Sequence, residues 1–288
     1  MAKYEYIITE KFNNYKVLDF YRYFYLSKTK LGMIRQNSTV NGKKVYETYI
    51  LKTNDVLSFV LPNEKMVEPY KKKIEVVFED KNFLIINKPL DILVHPDGVN
   101  LNKTLVNAVR YYFDSKGDHT IVRYCHRLDF STTGLIIFVK DPLTNSYMNE
   151  KISKHLVKRD YLAIVSGILD GNGTIDKKIG KDRHHNSRRR AGNYGLDAVT
   201  NYHVIKKMKK CTLVKLSLTT GRTHQIRVHM KYIGHPLVGD LLYGGNISIS
   251  SNLMLLSYKL EFLNPYTNEL IKLTLPLTME MERIVNEK

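Results

Sequence analysis

The sequence predicts an α+β fold in which a small N-terminal α/β module precedes a larger body. Three observations carry this reading. Strand-like runs and helix-like stretches occur in mixed order, without the regular alternation of a doubly wound sheet. Residues 16–61 hold their own succession of helical spacing followed by a hairpin signal. Residues 62–73 (PNEKMVEPYKKK) combine two prolines with a lysine triplet, which is linker chemistry. The expected boundaries are 1–68 for the module with its linker and 69–288 for the body.

In the module, Val17, Leu18, Phe20, Tyr21, Phe24 and Leu31 recur at near-helical spacing and predict two short helices. Residues 38–45 (STVNGKKV) then place Asn41-Gly42, a dipeptide suited to positive φ, between strand-forming residues, so a hairpin follows. In the body, residues 76–78, 83–86, 135–139, 161–165, 212–218 and 253–258 are β-branched or aromatic runs that predict strands. Residues 104–112 and 145–154 predict helices, as do residues 222–232, where Arg227 and Lys231 stand four apart. Residues 180–195 (GKDRHHNSRRRAGNYG) are expected to form a strongly basic loop.

Lys and Arg total 45 against 28 Asp and Glu, a net charge of +17, which points to a polyanionic partner and hence to nucleic acid. The two cysteines, Cys125 and Cys211, form no Cys-x-x-Cys pair, so reduced thiols and no structural zinc are expected. The N-terminus lacks a signal-peptide core, and no apolar run approaches the roughly 20 residues of a membrane span. A soluble, cytoplasmic, monomeric protein without a membrane partner is expected.

Residues 124–140 (YCHRLDFSTTGLIIFVK) set Asp129 in turn chemistry just before a buried strand, where rigid support meets a polar loop. A lone Asp in such a place usually caps a turn. His126 and Arg127 beside it, and a second motif at residues 221–229 (GRTHQIRVH), reverse that reading. Together these segments resemble the catalytic core of the pseudouridine synthases that carry the His-Arg-Leu-Asp signature. The resemblance extends to residues 76–96 (VVFEDKNFLIINKPLDILVHP), 158–167 (KRDYLAIVSG), Ala198-Val-Thr200 and 234–244 (GHPLVGDLLYG), all in family order. The module, through VNGKKV and LKTNDVLSFVLP, resembles the S4-type RNA-binding domain.

The resemblance implies one mixed, largely antiparallel sheet with a central catalytic cleft. It implies isomerisation of uridine in RNA, with Asp129 as nucleophile, Arg222 as its countercharge, and Tyr161 stacked on the displaced uracil, with its phenol open to proton transfer as the C5 or C2′ proton is lost. No cofactor and no metal are expected. Attack on the base, attack on the sugar and elimination all stay open as routes for Asp129. The target nucleotide must be flipped out to react, and Arg127 then fills its place or holds a phosphate. His126 supports the loop and Lys88 lies near the cleft, and both are counted with Arg127 among the expected RNA contacts. Further RNA contacts are expected from Arg188, Arg189 and Arg190, and from Lys28, Lys30, Arg35, Lys43 and Lys44 on the module.

The chain departs from the family pattern at Asp91, where glycine is usual, at Phe130, where a charged residue is common, at Thr133 and at Phe138. Relatives with an S4-type module often act on large-subunit ribosomal RNA, the expected target; a tRNA, or a non-catalytic RNA-binding or ribosome-assembly role, is the alternative. A protein kinase is excluded because Leu128 separates His-Arg from Asp and no Asp-Phe-Gly follows. A zinc hydrolase is excluded because His224 and His229 stand five apart, not four.

Overall fold

The computed structural model describes residues 1–99, 101–183, 185 and 187–287. At the N-terminus, β1 (Ala2–Ile7) is followed by α1 (Val17–Tyr23), α2 (Lys28–Arg35), β2 (Thr39–Val40), β3 (Lys43–Lys44) and β4 (Val56–Leu61). The strands form one antiparallel sheet of order β1-β4-β2-β3. Asn41 and Gly42 both take positive φ, 49° and 79°, as a two-residue hairpin turn requires. The unit begins fourteen residues earlier than the helical spacing suggests, because β1 precedes the helices. Its alternation is legible: Lys3 and Glu5 point to solvent while Tyr6 is buried.

This N-terminal sheet shares a continuous core with the body. Tyr6, Phe20, Phe24 and Phe59 belong to the same apolar cluster as Phe83, Ile137, Tyr147 and Tyr266. The Tyr6 ring stacks on Tyr266 at 6.2 Å, and its hydroxyl donates to Asp141 Oδ1 at 3.0 Å. The intervening segment lies against the body as well, since Asn107 Nδ2 donates to the Glu68 carbonyl at 2.7 Å and Tyr70 N–H to the Asn107 carbonyl at 2.9 Å.

The body comprises β5 (Glu75–Glu79), β6 (Phe83–Lys88), α3 (Leu105–Ser115), β7 (Arg123–Tyr124), β8 (Thr133–Val139), α4 (Pro142–Ser153), β9 (Lys158–Ser166), β10 (Gly173–Asp176), β11 (Lys178–Lys181), β12 (Arg189–Gly192), β13 (Val199–Lys207), β14 (Cys211–Leu218), α5 (Gln225–Tyr232), β15 (Leu255–Leu263), β16 (Leu270–Thr274) and α6 (Met279–Asn286). Ten of these strands form the main sheet, along the path β10-β13-β14-β9-β15-β8-β6-β5, with β16 beside β15 and β7 beside β8. Every pairing is antiparallel except β8 with β15, so the sheet is mixed and largely antiparallel as expected.

Both faces of the central strands are covered. Ile85, Leu135, Ile137 and Val139 pack toward α4 and the N-terminal unit, while Leu84, Ile86, Ile136 and Phe138 pack toward α3 and α5. Double burial makes residues 135–139 read as a continuous apolar run. Gly134, at φ 109°, opens this strand where β15 passes closest: a Cβ there would lie 2.2 Å from the Ser257 carbonyl oxygen. Residues 180–195 are not simply a loop, because β11 and β12 pair as a hairpin across part of this segment. Ile179 and Ala191 turn inward to Ala198, Val228 and Tyr243, and this apolar foot seats the hairpin on α5. One inward residue per strand is too little to show against so many charges. His184 and Asn186 of this segment lie outside the described residues. Among the described residues, no helix is long and apolar enough to cross a membrane.

Candidate active site

Asp129 sits in the connection from β7 to β8, and the loop is secured from three sides. The Thr132 N–H closes a turn onto the Asp129 carbonyl at 3.1 Å. His126 is buried, and its Nε2 accepts from the Ile137 N–H at 3.2 Å, tying the loop to β8. Burial, reinforced by the Arg159 guanidinium, pulls the His126 pKa from 6.5 to about 3, so the ring is a neutral acceptor.

The third support is Lys88, which is fully buried at the end of β6. Its ammonium donates to the carbonyls of Phe130 and Thr132, both at 2.8 Å, and of Pro89 at 3.0 Å. An ammonium has three hydrogens, so none is left for another acceptor. Lys88 therefore clamps the backbone around Asp129 and offers no surface to RNA, unlike the role expected of it. Burial draws its pKa down to about 7, against the opposing pull of Asp129 and Asp91, while the three carbonyl acceptors favour the ammonium, the form with a hydrogen for each. Asp91, on the adjoining turn, takes φ 54°, a left-handed conformation that glycine adopts freely and Asp tolerates better than most residues.

The second motif forms the opposite wall. Gln225 opens α5 buried, with its amide donating to the Val199 carbonyl and to Thr200 Oγ1, both at 3.0 Å. Its Oε1 accepts from the Arg222 N–H at 2.9 Å and from Thr220 Oγ1 at 2.7 Å, so one side chain shapes the whole turn. His229 is inward and structural, its two nitrogens bonded to Thr200 Oγ1 and the Lys177 carbonyl, each at 2.9 Å. His224, just before the helix, points the other way, from a left-handed backbone at φ 58°.

Between the walls lies a cavity of about 520 Å³ lined by Asp129, Arg159, Tyr161, Arg222, His224 and Arg227, among others. Tyr161 enters from the middle of β9 and is 5% exposed; burial raises its pKa, so the phenol keeps its proton at neutral pH. Arg127 is exposed and also lines the cavity. The three expected catalytic side chains, Asp129, Tyr161 and Arg222, thus share one space.

The structure differs from expectation at the countercharge. Arg222 donates through Nε to the Asp197 carbonyl at 2.9 Å, whereas the basic side chains with a nitrogen within 4.0 Å of Asp129, among the described residues, are Arg227 and His224, of which Arg227 carries the charge. Arg227 Nη1 stands 3.7 Å from Asp129 Oδ2, and His224 Nε2 stands 3.9 Å from the same oxygen. Arg227 is braced by two 2.8 Å bonds to Asp240 and lies 5.1 Å over the Tyr243 ring. Both arginines occur in GRTHQIR, and only the helix separates them: Arg222 precedes α5, whereas Arg227 projects from it.

At these distances neither neighbour hydrogen-bonds the Asp129 carboxylate. Among the described residues nothing else donates to it, so its lone pairs face the cavity while an arginine supplies countercharge. Such a carboxylate can act as a nucleophile or accept a proton.

Of the other expected contacts, Arg189 and Arg190 lie on β12 with Arg188 just before it, and the Arg189 N–H donates to Tyr243 Oη at 2.9 Å, which joins the hairpin to the cavity wall. Lys28, Lys43 and Lys44 are exposed and Lys30 partly so, and Arg35 pairs with Glu47; none of the five lines this cavity. Arg35 and Lys44 border a separate hollow of about 490 Å³ on the N-terminal unit.

Comparison with known proteins agrees with this architecture. The family model described as RNA pseudouridylate synthase matches residues 82–232. The chain is 38% identical over 257 residues to an uncharacterized RNA pseudouridine synthase of Bacillus subtilis, covering 88% of this chain and 85% of that protein. It is 35% identical over 222 residues to ribosomal large subunit pseudouridine synthase D of Escherichia coli, covering 76% and 68%. Among solved structures, human RNA pseudouridylate synthase domain containing 1 aligns with a TM-score of 0.59 at 28% identity, over 73% of this chain and 86% of that one. With a family match across more than half of its length and near-full-length relatives, the chain belongs to the RNA pseudouridylate synthases.

Proposed function

We propose that this pseudouridine synthase isomerises uridines of large-subunit ribosomal RNA, with Asp129 as the reacting carboxylate. The observation that carries the reading is an Asp129 carboxylate that accepts no hydrogen bond among the described residues, 3.7 Å from Arg227, in a cavity shared with Tyr161. Ribosomal RNA is favoured by the name of the Escherichia coli relative.

The reaction breaks the bond from ribose C1′ to uracil N1, rotates the base, and joins C1′ to C5. The proton leaving C5 is balanced by one gained at N1, so nothing is oxidised or reduced. Asp129 initiates cleavage, and Arg227 supplies the positive charge that a carboxylate in a confined site needs. Tyr161 offers a buried aromatic face for the uracil. Arg127, at the exposed edge, takes the space left by the flipped nucleotide or holds its phosphate.

Arg222 sits on the same wall with its guanidinium only partly engaged, which suits an RNA phosphate. Arg188, Arg189 and Arg190 present cationic charge on the hairpin, and residues 1–68 serve as an S4-like module whose Lys28, Lys30, Lys43 and Lys44 follow the RNA backbone. Pseudouridine mapping of total RNA, from cells with and without the gene, tests the reading. Loss of specific sites in 23S-type RNA on deletion, restored by wild type but not by Asp129→Asn, is expected. Loss confined to tRNA would move the target, and an unchanged pseudouridine map would leave an RNA-binding role.

A further inference from the structure

The hydroxyl of Tyr243 stands at the junction of three elements. It accepts from the Arg189 N–H at 2.9 Å and lies 2.9 Å from His224 Nδ1. Tyr243 is 7% exposed, and among the described residues no other acceptor lies within hydrogen-bonding distance of its oxygen. A backbone N–H can only donate, so Tyr243 is the acceptor in the first contact. If His224 Nδ1 also donated, the buried hydroxyl hydrogen would have no partner, which is costly. The hydroxyl therefore donates to Nδ1.

An acceptor at Nδ1 puts the proton of the neutral imidazole on Nε2, the nitrogen 3.9 Å from Asp129 Oδ2. Burial supports the neutral form, holding the His224 pKa below 6.5 despite Asp129 and Asp240, with Arg227 and Arg189 acting in the same direction as burial. The opposite tautomer would aim a nitrogen lone pair at the carboxylate and repel it. His224 keeps this orientation from a left-handed backbone at φ 58°, a conformation disfavoured for side chains with a Cβ.

We propose that Tyr243 and His224 form a positioning pair, in which the Tyr243 hydroxyl locks His224 as its Nε2–H tautomer so that a donor, never a competing base, faces Asp129 and the uracil bound beside it. The Arg189 N–H extends the chain to the basic hairpin, whose apolar foot contains the same Tyr243. Seating of the hairpin and orientation of the donor are thereby one event. The inference deepens the proposed function and rests on it for its kinetic part alone.

Two measurements test it. Nitrogen NMR of full-length, histidine-labelled protein near neutral pH reads the tautomer without RNA. Wild type shows His224 neutral with its proton on Nε2, and Tyr243→Phe, which keeps the ring under Arg227, shows the other tautomer appearing. A doubly protonated or Nδ1–H His224 in wild type, or a Tyr243→Phe spectrum like wild type, overturns the proposal.

Single-turnover pseudouridine formation is then followed on total RNA from gene-deleted cells. Tyr243→Phe slows the bound step about tenfold, as removal of one hydrogen bond implies, with little change in the enzyme concentration giving half-maximal rate. His224→Gln, whose amide nitrogen reaches the Nε2 position, recovers much of what His224→Asn loses. Equal rate losses in the Gln and Asn variants would refute the donor role. If wild type itself forms no pseudouridine, the proposed function fails, while the tautomer spectra still decide the Tyr243–His224 lock.

Discussion

Arg227 stands 3.7 Å from Asp129 while its other two guanidinium nitrogens bind Asp240, each at 2.8 Å. The two carboxylates are treated differently. Asp240 has no exposed side-chain surface and takes the bidentate contact, which fixes the plane of the guanidinium. Asp129 is 19% exposed and receives charge without a hydrogen bond, so its oxygens stay available to a substrate. The Asp240 ion pair thus aims the Arg227 guanidinium at Asp129.

This arrangement separates the two arginines of the motif. Arg227→Met strands the buried Asp240 carboxylate, and stability is expected to fall by about 3–5 kcal/mol. Arg222→Met removes only a hydrogen bond to the Asp197 carbonyl, and about 1 kcal/mol or less is expected. Chemical denaturation of both variants checks the contrast. A larger destabilisation by Arg222→Met would reverse the assignment of the countercharge.

Lys88 gives the second prediction, because its ammonium holds three carbonyls around the Asp129 loop. Lys88→Met leaves those carbonyls without their donor, at a stability cost of about 1–3 kcal/mol. With Asp129 as the proposed reacting carboxylate, the variant should also lose at least about tenfold in single-turnover rate, since a loosely held side chain spends less time in reactive geometry. RNA affinity should change little, because the group is buried. A weakened affinity at full bound rate would return Lys88 to the RNA surface.

The main sheet is legible in the sequence where strands bury both faces, as in residues 135–139, and the Asn41-Gly42 turn is legible from its φ requirement. Asp129 and Tyr161 stand out only through the segments around them, since neither residue type is distinctive alone. Arg227 is not separable from Arg222 by sequence, because a helix start decides which of the two approaches Asp129. The Tyr243–His224 contact joins residues 19 apart through hairpin packing, and no local pattern carries it. The clamping role of Lys88 is hidden for a related reason: a lysine in a basic protein suggests an RNA contact until its burial is seen.

His126 makes stability depend on pH. Its folded pKa is about 3, below the ordinary 6.5, so above 6.5 both folded and unfolded chains carry the neutral ring. Between 6.5 and about 3 only the unfolded chain takes up the proton. Acidification across that window therefore favours unfolding, with a slope of about 1.4 kcal/mol per pH unit for this group. His126→Gln retains an acceptor for the Ile137 N–H but cannot titrate. Urea denaturation near neutrality and near about pH 5 should show the wild type losing more stability than the variant. Parallel losses of stability would mean that His126 is protonated in the folded protein.

The last prediction concerns the N-terminal unit, where deletion is a poor test. Removing residues 1–68 would uncover Tyr266 and Tyr147 and take the Tyr6 hydroxyl from Asp141, so a fall in activity would report a damaged core. Charge substitution in the full chain avoids this. Lys28, Lys43 and Lys44 are exposed and Lys30 partly so, and none has an ion-pair partner among the described residues. Arg35 is left in place because Glu47 already holds it. Replacing the four lysines with Gln should reduce the slope of log affinity against log salt by about 0.7 for each phosphate of single-stranded RNA that the unit no longer neutralises. The bound rate at saturating enzyme should fall less than the affinity, because the cavity around Asp129 includes none of the four. The measurement is a salt titration of wild type and variant on one RNA, paired with single-turnover rates. Equal salt slopes would deny the unit an electrostatic role in RNA binding, and a slower rate at unchanged affinity would instead make it a support for the active site.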